Sequence, residues 1–195
     1  KGVKLLDVDP GYDTNRTVVT MVGEPEAVME AAFQAVKKSH ELIDMRKHKG
    51  AHPRFGACDV CPIIPVSGVT MDDCVGYAHK LGKRLGEELD FPVYFYEYAA
   101  TSKERKNLAK VRAGEYEGLE AKLKDPQWLP DFGPAEFKPA KGATAVSARD
   151  FLIAYNLNLN TTNAKKANFI ALRLREQGYP KKDENDKPLL DESGK

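Results

Sequence analysis

The sequence predicts an α/β domain, α+β in its layering: a two-layer mixed β-sheet with helices packed mainly on one face. Three observations predict it. Runs rich in β-branched or aromatic residues recur along the chain, two long stretches carry apolar residues at helical spacing, and strand-like and helix-like stretches interleave instead of segregating.

Val3 to Asp9 alternates and breaks at Asp9-Pro10-Gly11, where proline fixes one dihedral and glycine accepts the next, so it reads as a first strand. After Tyr12-Asp13-Thr14-Asn15, the run Arg16 to Val22 is β-branched and reads as a second strand that pairs with the first as a hairpin. Pro25 suits the first turn of a helix, and Val28, Ala31, Ala32, Ala35 and Val36 recur at helical spacing behind it. Ala57 to Val66 is β-rich, but Pro62 and Pro65 remove donors and predict an irregular or edge strand. Thr70 with Asp73 reads as a helix start, and Val75, Ala78, Leu81, Leu85 and Leu89 form a stripe that should cover a sheet. Phe91 to Tyr98 is an aromatic strand. From Ala99 to Gly142 the pattern weakens to short helical pieces, among them Tyr116 to Leu123. Phe151 to Leu159 reads as a last strand with Asn156 and Asn158 on one face, followed by a helix capped by Thr161 or Thr162 and bearing Ala167, Ile170, Ala171 and Leu174. Residues 1–178 are expected to form one domain, and the polar, proline-containing stretch 179–195 a linker.

A chain of 195 residues with 42% hydrophobic content can bury a core, which excludes disorder throughout. Lys+Arg 30 against Asp+Glu 29 leaves a net charge of +1, so no global field draws the protein to nucleic acid or to an anionic membrane. No apolar run approaches bilayer length and the first residues read as a strand, not as a signal peptide, which predicts a cytoplasmic protein. Three cysteines, Cys58, Cys61 and Cys74, fit reduced thiols. The absence of an initiator methionine predicts a chain that is processed, trimmed or cut from something longer.

The densest chemistry lies in Lys47-His48-Lys49-Gly50-Ala51-His52-Pro53-Arg54-Phe55-Gly56, a loop shaped by two glycines and a proline. Pro53 drives His52 toward an extended conformation that presents its imidazole outward, making it the first catalytic candidate. The plainer reading of the cluster is a solvated surface or a general anion patch using Lys47, Lys49 and Arg54. Cys58 and Cys61 have the spacing of a redox or zinc pair, but alternation along a strand would point them to opposite faces, so they read as buried structural thiols. His48 and His52 are separated by Gly50, which spoils a helical metal site, and His40 and His79 fall on helices. No metal site is expected. Asp7 and Asp9 share a strand face, where they either tune a histidine or cap the turn. The Gly/Pro-framed basic stretch ending in Lys138, Pro139, Ala140, Lys141 and Gly142 suits an anionic or flat ligand.

Several phrases together resemble the glutamate formiminotransferase (formiminotransferase-cyclodeaminase) family. They are Leu5-Leu6-Asp7-Val8-Asp9 with Thr14-Asn15-Arg16-Thr17-Val18; Leu42-Ile43-Asp44-Met45 with Lys47-His48-Lys49-Gly50 and His52-Pro53-Arg54; Asp59-Val60-Cys61-Pro62; Arg112 to Glu117; Pro130 to Pro134; and Leu172 to Gly178. The likeness covers nearly the whole chain in order and implies a ferredoxin-like amino-terminal subdomain, lacking the family's first strand and helix and its second subdomain. It implies transfer of a formimino group from N-formimino-L-glutamate to tetrahydrofolate in histidine breakdown, with His52 as general base. It places the folate segment on Gly133, Pro134, Ala135, Glu136, Phe137, Lys138, Pro139, Ala140, Lys141 and Gly142. Asp9, Asn15, Arg16 and Arg54 are expected in support, Arg16 as a carboxylate clamp. The resemblance admits a homo-oligomer and a cyclodeaminase partner. The alternative is a non-catalytic folate-binding module.

Overall fold

The computed structural model describes residues 2–153 and 157–174, and the chain falls into two compact units, residues 1–151 and 152–195. In the first, β1 (Val3–Gly11) and β2 (Arg16–Gly23) form the expected antiparallel hairpin, with a bulge between Leu5 and Asp7. A second sheet of three parallel strands has the order β3 (Val60–Ile63), β5 (Thr144–Ala148), β4 (Val93–Glu97). The α/β class and mixed strand directions are as predicted, with the antiparallel and parallel pairings in separate sheets. Pro62 sits on the edge strand β3, where its missing N–H leaves no gap in a central ladder.

The two long helices cover one face. α1 (Pro25–Leu42) starts with proline in its first turn, and α2 (Met71–Leu89) starts with a capping box in which Thr70 and Asp73 satisfy each other's backbone N–H groups. Ala32, Phe33 and Val36 of α1 and Ala78, Leu81 and Leu85 of α2 close over Val93, Phe95 and Val146 of the sheet. Each large side chain so buried contributes about 1.5–3 kcal/mol. The opposite face holds a second cluster: Tyr94, Tyr96 and Ala145 pack under Phe55 and under Val111 and Leu119 of α3 (Leu108–Val111) and α4 (Glu115–Lys122). The tyrosines of the aromatic strand are therefore core, and Tyr94 donates its hydroxyl hydrogen to the Trp128 carbonyl.

The last strand of this unit differs from expectation. The central strand is Thr144–Ala148, every residue of which is buried, and it takes both neighbours it can pair with. Residues 151–153 and 157–159 are not strand, because the chain leaves the ladder at Arg149 and Asp150 with β3 and β4 already filling both sides of β5. Tyr155 and Asn156 lie outside the described residues, as does the expected linker 179–195. In the second unit, α5 (Ala164–Leu174) is capped by Asn163, whose Oδ1 accepts from the Lys165 and Lys166 N–H groups, and not by Thr161 or Thr162. Cys58 precedes β3, so strand alternation does not govern it, and both Cys58 and Cys61 pack against the same apolar cluster as free thiols whose pKa values burial pushes up. Among the described residues no helix is long and apolar enough to cross a membrane.

Candidate functional site

Residues 45–57 cross the amino-terminal ends of the parallel strands and are held from two sides. On one side is the hairpin tip. Ala51 N–H donates to the Asp13 carbonyl at 2.9 Å and Asn15 Nδ2 donates to the Lys49 carbonyl at 2.6 Å. His48 Nε2 lies 2.7 Å from the Asn15 carbonyl; a carbonyl only accepts, so this nitrogen carries the proton and His48 is a clasp, not a free base. Gly50 is required for the approach, since a Cβ there would stand 2.2 Å from the Thr14 carbonyl oxygen. Asn15 takes the left-handed conformation (φ 45°) that asparagine tolerates in a turn.

On the other side is the segment 133–142. Met45 N–H donates to the Ala140 carbonyl at 3.0 Å, Ala57 N–H to the Lys141 carbonyl at 2.8 Å, and Gly56 bridges Gly142. Gly142 has φ 71° and touches the Phe55 carbonyl, a combination that a side chain would prevent. Tyr116 Oη donates to the Pro139 carbonyl at 2.7 Å and its ring lies 5.4 Å from that of Phe137. Loop and segment are thus hydrogen-bonded neighbours. Lys138 pairs with Asp90 and Glu136, each at 2.9 Å, and Lys141 donates to the Leu89 carbonyl, so both cations tie the segment down. Further back, buried Arg105 and Asp131 pair at 2.7 Å and anchor the approach to the segment.

His52 is half-buried on this loop. Arg54 beside it grips Glu117 with two hydrogen bonds of 2.9 and 2.8 Å, has Glu115 at 3.6 Å, and lies 5.8 Å from the Tyr116 ring centre. Those hydrogen bonds hold the guanidinium pKa above its usual value and the Glu117 carboxyl below its own. Arg54 is therefore a neutralised clasp, which removes the strongest cation from the anion-patch reading. Asp9 and Arg16 are exposed on the hairpin, Asp9 opposite Val18 and Arg16 opposite Gly11. Sequence reasoning missed Asp59 and Arg112 as members of the group. Asp59 Oδ1 accepts from Phe55 N–H at 3.0 Å, and Arg112 donates to the Pro53 carbonyl at 3.0 Å while standing 3.4 Å from Asp59 Oδ2. Burial pushes the Asp59 carboxyl up, opposed by Arg112, the Phe55 N–H, His52 and Arg16.

A cavity of about 560 Å³ lies elsewhere: Gly2, Lys4, Gly23 and Ser67 line it at the base of the hairpin. That is roughly 25 Å along the strands from the tip. Among the described residues no group of three or more His, Cys, Asp or Glu is placed to hold a metal ion.

Comparison with known proteins completes the picture. Residues 1–149 match the family described as formiminotransferase domain, N-terminal subdomain. The formimidoyltransferase-cyclodeaminase of Rattus norvegicus is 58% identical over 180 residues, covering 92% of this chain and 33% of that protein. The glutamate formimidoyltransferase of Streptococcus pyogenes serotype M1 is 46% identical over 177 residues, 91% of this chain and 59% of that one. That of Thermoplasma acidophilum is 47% identical over 175 residues, 89% of this chain and 57% of its own length. The chain thus spans about a third of the longer relative and less than two thirds of the shorter ones. With a ferredoxin-like α/β arrangement matched over 149 residues, the chain belongs to the formiminotransferase domain family, as its N-terminal subdomain.

Proposed function

We propose that this chain supplies one wall of a folate-dependent formimino-transfer site, with His52 as the general base and residues 133–142 as the folate-binding segment. The observation that carries the reading is the bonding of the His52 loop to that segment at both ends, through Met45 with Ala140 and Ala57 with Lys141. In the transfer from N-formimino-L-glutamate, His52 accepts the proton lost by the tetrahydrofolate amine nitrogen as that nitrogen bonds to the formimino carbon. It returns the proton to the glutamate nitrogen as the old carbon–nitrogen bond breaks. Arg16, exposed at the tip, would take a substrate carboxylate. The segment suits a flat, hydrogen-bonding ligand better than a simple anion. Lys138 and Lys141 are engaged, whereas Phe137 and Tyr116 offer paired rings and Gly133, Ala135 and Pro139 are exposed.

For the chain by itself, the better-supported reading is a folate-binding module that does not turn over. Ala51, Gly133, Ala135 and Pro139 of the loop and segment are exposed, and the cavity of about 560 Å³ lies at the far end of the hairpin. A cytoplasmic location, a homo-oligomer and a cyclodeaminase partner belong to the same proposal. The test is calorimetric binding of tetrahydrofolate to this chain and to its His52→Ala variant, with formimino transfer measured for both and for a protein extended to its relatives' length. Binding in both short chains, with transfer confined to the extended, His52-intact protein, supports the reading. Phosphate displacing folate at equal concentration would sink it in favour of an anion patch.

A further inference from the structure

We propose that Asp59 is a positioning residue for His52, with Arg112 as the cation that holds the carboxylate, so that the loop presents an imidazole oriented by a buried acid. The role given to His52 rests on the function proposed above; the pairing itself does not. Two oxygens of one carboxylate are used differently. Oδ1 accepts from the Phe55 N–H at 3.0 Å and fixes the backbone of the loop. Oδ2 is buried, and although Arg112 Nη1 stands 3.4 Å away, it has no hydrogen-bond partner among the described residues. Arg112 gives its hydrogen bond to the carbonyl of Pro53, the residue next to His52. The same ion pair therefore pins the chain on the carboxyl side of His52 at two points and leaves one acceptor open.

Buried acceptors are seldom left unpaired, and this one has company. His48 Nδ1, Arg54 Nε and Arg112 Nε, all in the loop or its clasps, are likewise buried without a partner. The charged groups around Asp59 are Arg112 from the end of α3, His52 from the loop and Arg16 from β2, with the buried Cys58 thiol next along the chain. Arg112 Nη1 stands 3.4 Å from Oδ2 but gives its hydrogen bond to Pro53, and no hydrogen bond joins His52 to Oδ2 among the described residues; a turn of the imidazole would let its N–H fill Oδ2 and leave its second nitrogen facing outward with its lone pair free. A neutral imidazole has one donor and one acceptor, so committing the donor inward fixes the tautomer that accepts a proton from outside. Orientation of a base by a third group is how such pairs work on unrelated folds.

The experiment reads the pair directly in this chain. Long-range proton–nitrogen correlation spectra report the ring tautomer of His52, and carbon-13 spectra report the titration of the Asp59 carboxyl. We expect one His52 tautomer in the parent and a mixture in Asp59→Asn, which keeps an oxygen for the Phe55 N–H and so keeps the loop. Reciprocally, the Asp59 titration moves to higher pH in His52→Ala, moves further in Arg112→Gln and stays in place in His48→Ala. An Asp59 titration unmoved by His52→Ala, or a tautomer indifferent to Asp59→Asn, overturns the proposal. In a protein extended to its relatives' length, Asp59→Asn lowers kcat with little change in KM. The loss cannot exceed the roughly 10²–10⁴-fold that a general base supplies. Coupling without any transfer in that longer protein overturns the transferase reading and leaves the pair standing. Transfer without coupling does the reverse.

Discussion

Replacing Gly50 by alanine should undock the His52 loop from the hairpin while leaving the core intact. The added Cβ would lie 2.2 Å from the Thr14 carbonyl oxygen, 2.8 Å from the Thr14 carbonyl carbon and 2.9 Å from Asn15 Cβ. Two of those atoms are backbone, so no side-chain rotation relieves the overlap, and the loop and the hairpin turn must part by about 1 Å to reach ordinary contact. Three hydrogen bonds cross that gap: Ala51 N–H to Asp13, Asn15 to Lys49, and His48 to Asn15. At about 0.5–1.5 kcal/mol net for each, docking loses roughly 1.5–4.5 kcal/mol. Amide hydrogen exchange at Ala51 reports this locally, because every ~1.4 kcal/mol is a factor of ten in the opening equilibrium. The expected result is exchange about ten- to a thousandfold faster at Ala51, with the amides of β4 and β5 remaining by far the better protected. Global stability falls by no more than that docking loss, since the loop-open state and the unfolded chain both lack the three bonds. Unaltered protection at Ala51 would show that the contacts at Gly50 do not hold the loop. A urea midpoint lowered as though the core had been cut would show that the hairpin tip is not a separable element.

Three further substitutions probe the supports of the site. Arg105→Ala removes the counter-cation of Asp131, leaving it the Phe95 N–H and the Thr101 hydroxyl, and removes the bonds from Arg105 to the Gln127 and Leu129 carbonyls; breaking a buried pair costs about 3–5 kcal/mol, read as a fall in urea midpoint. His40 lies edge-on to Phe91, and burial, with Lys141 second, holds its imidazole pKa down to about 4. The unfolded chain binds that proton below about pH 6.5 and the folded chain does not, so stability falls as pH drops from about 6.5 to about 4 and the loss then levels off. With screening of the partly exposed ring the loss is on the order of 1–2 kcal/mol, and His40→Leu should flatten that limb of the stability profile. Thr70→Ala breaks the capping box at the start of α2 and should cost about 0.5–2 kcal/mol in thermal or urea unfolding.

What was legible in the sequence follows from where each element sits. The hairpin, α1 and α2 each bury one face or none, so their residues alternate or recur with a clear period. The strand Thr144-Ala145-Val146-Ser147-Ala148 did not announce itself, because it is buried on both faces and squeezed between Tyr94 and Tyr96 on one side and the α2 cluster on the other. Small residues fit there, and alternation vanishes. The more apolar Phe151 to Leu159 looked more like a strand than the strand itself. Among the site residues, His52 and the 133–142 segment stood out through local composition. Asp59 and Arg112 did not, since 53 residues separate them and only the fold brings their charges to 3.4 Å. The same holds for Arg54, whose guanidinium reads as a ligand hook in sequence and proves to be spoken for by Glu117, 63 residues away.

The placement of the candidate site has a structural logic. Ligands of open parallel sheets usually gather at the carboxyl ends of the strands, but here the loop and the segment lie across the amino ends of β3, β4 and β5. That position is available because the segment 131–142 closes the edge itself: the Phe132 carbonyl accepts from Val93 N–H, the Lys141 carbonyl from Ala57 N–H, and Ala143 N–H donates to the Phe55 carbonyl. Backbone groups that strand ends would leave for a ligand are used within the protein, Arg54 and Lys138 are paired with carboxylates, and Lys141 is held by the Leu89 carbonyl. Under the function proposed above, recognition on this wall would rest on Arg16, the ring faces of Phe137 and Tyr116, and the half-buried imidazole of His52. Such a set orients a flat ligand without enclosing it. A pocket that buries most of its ligand needs a second wall, and this chain spans 33% of the length of the longer relative.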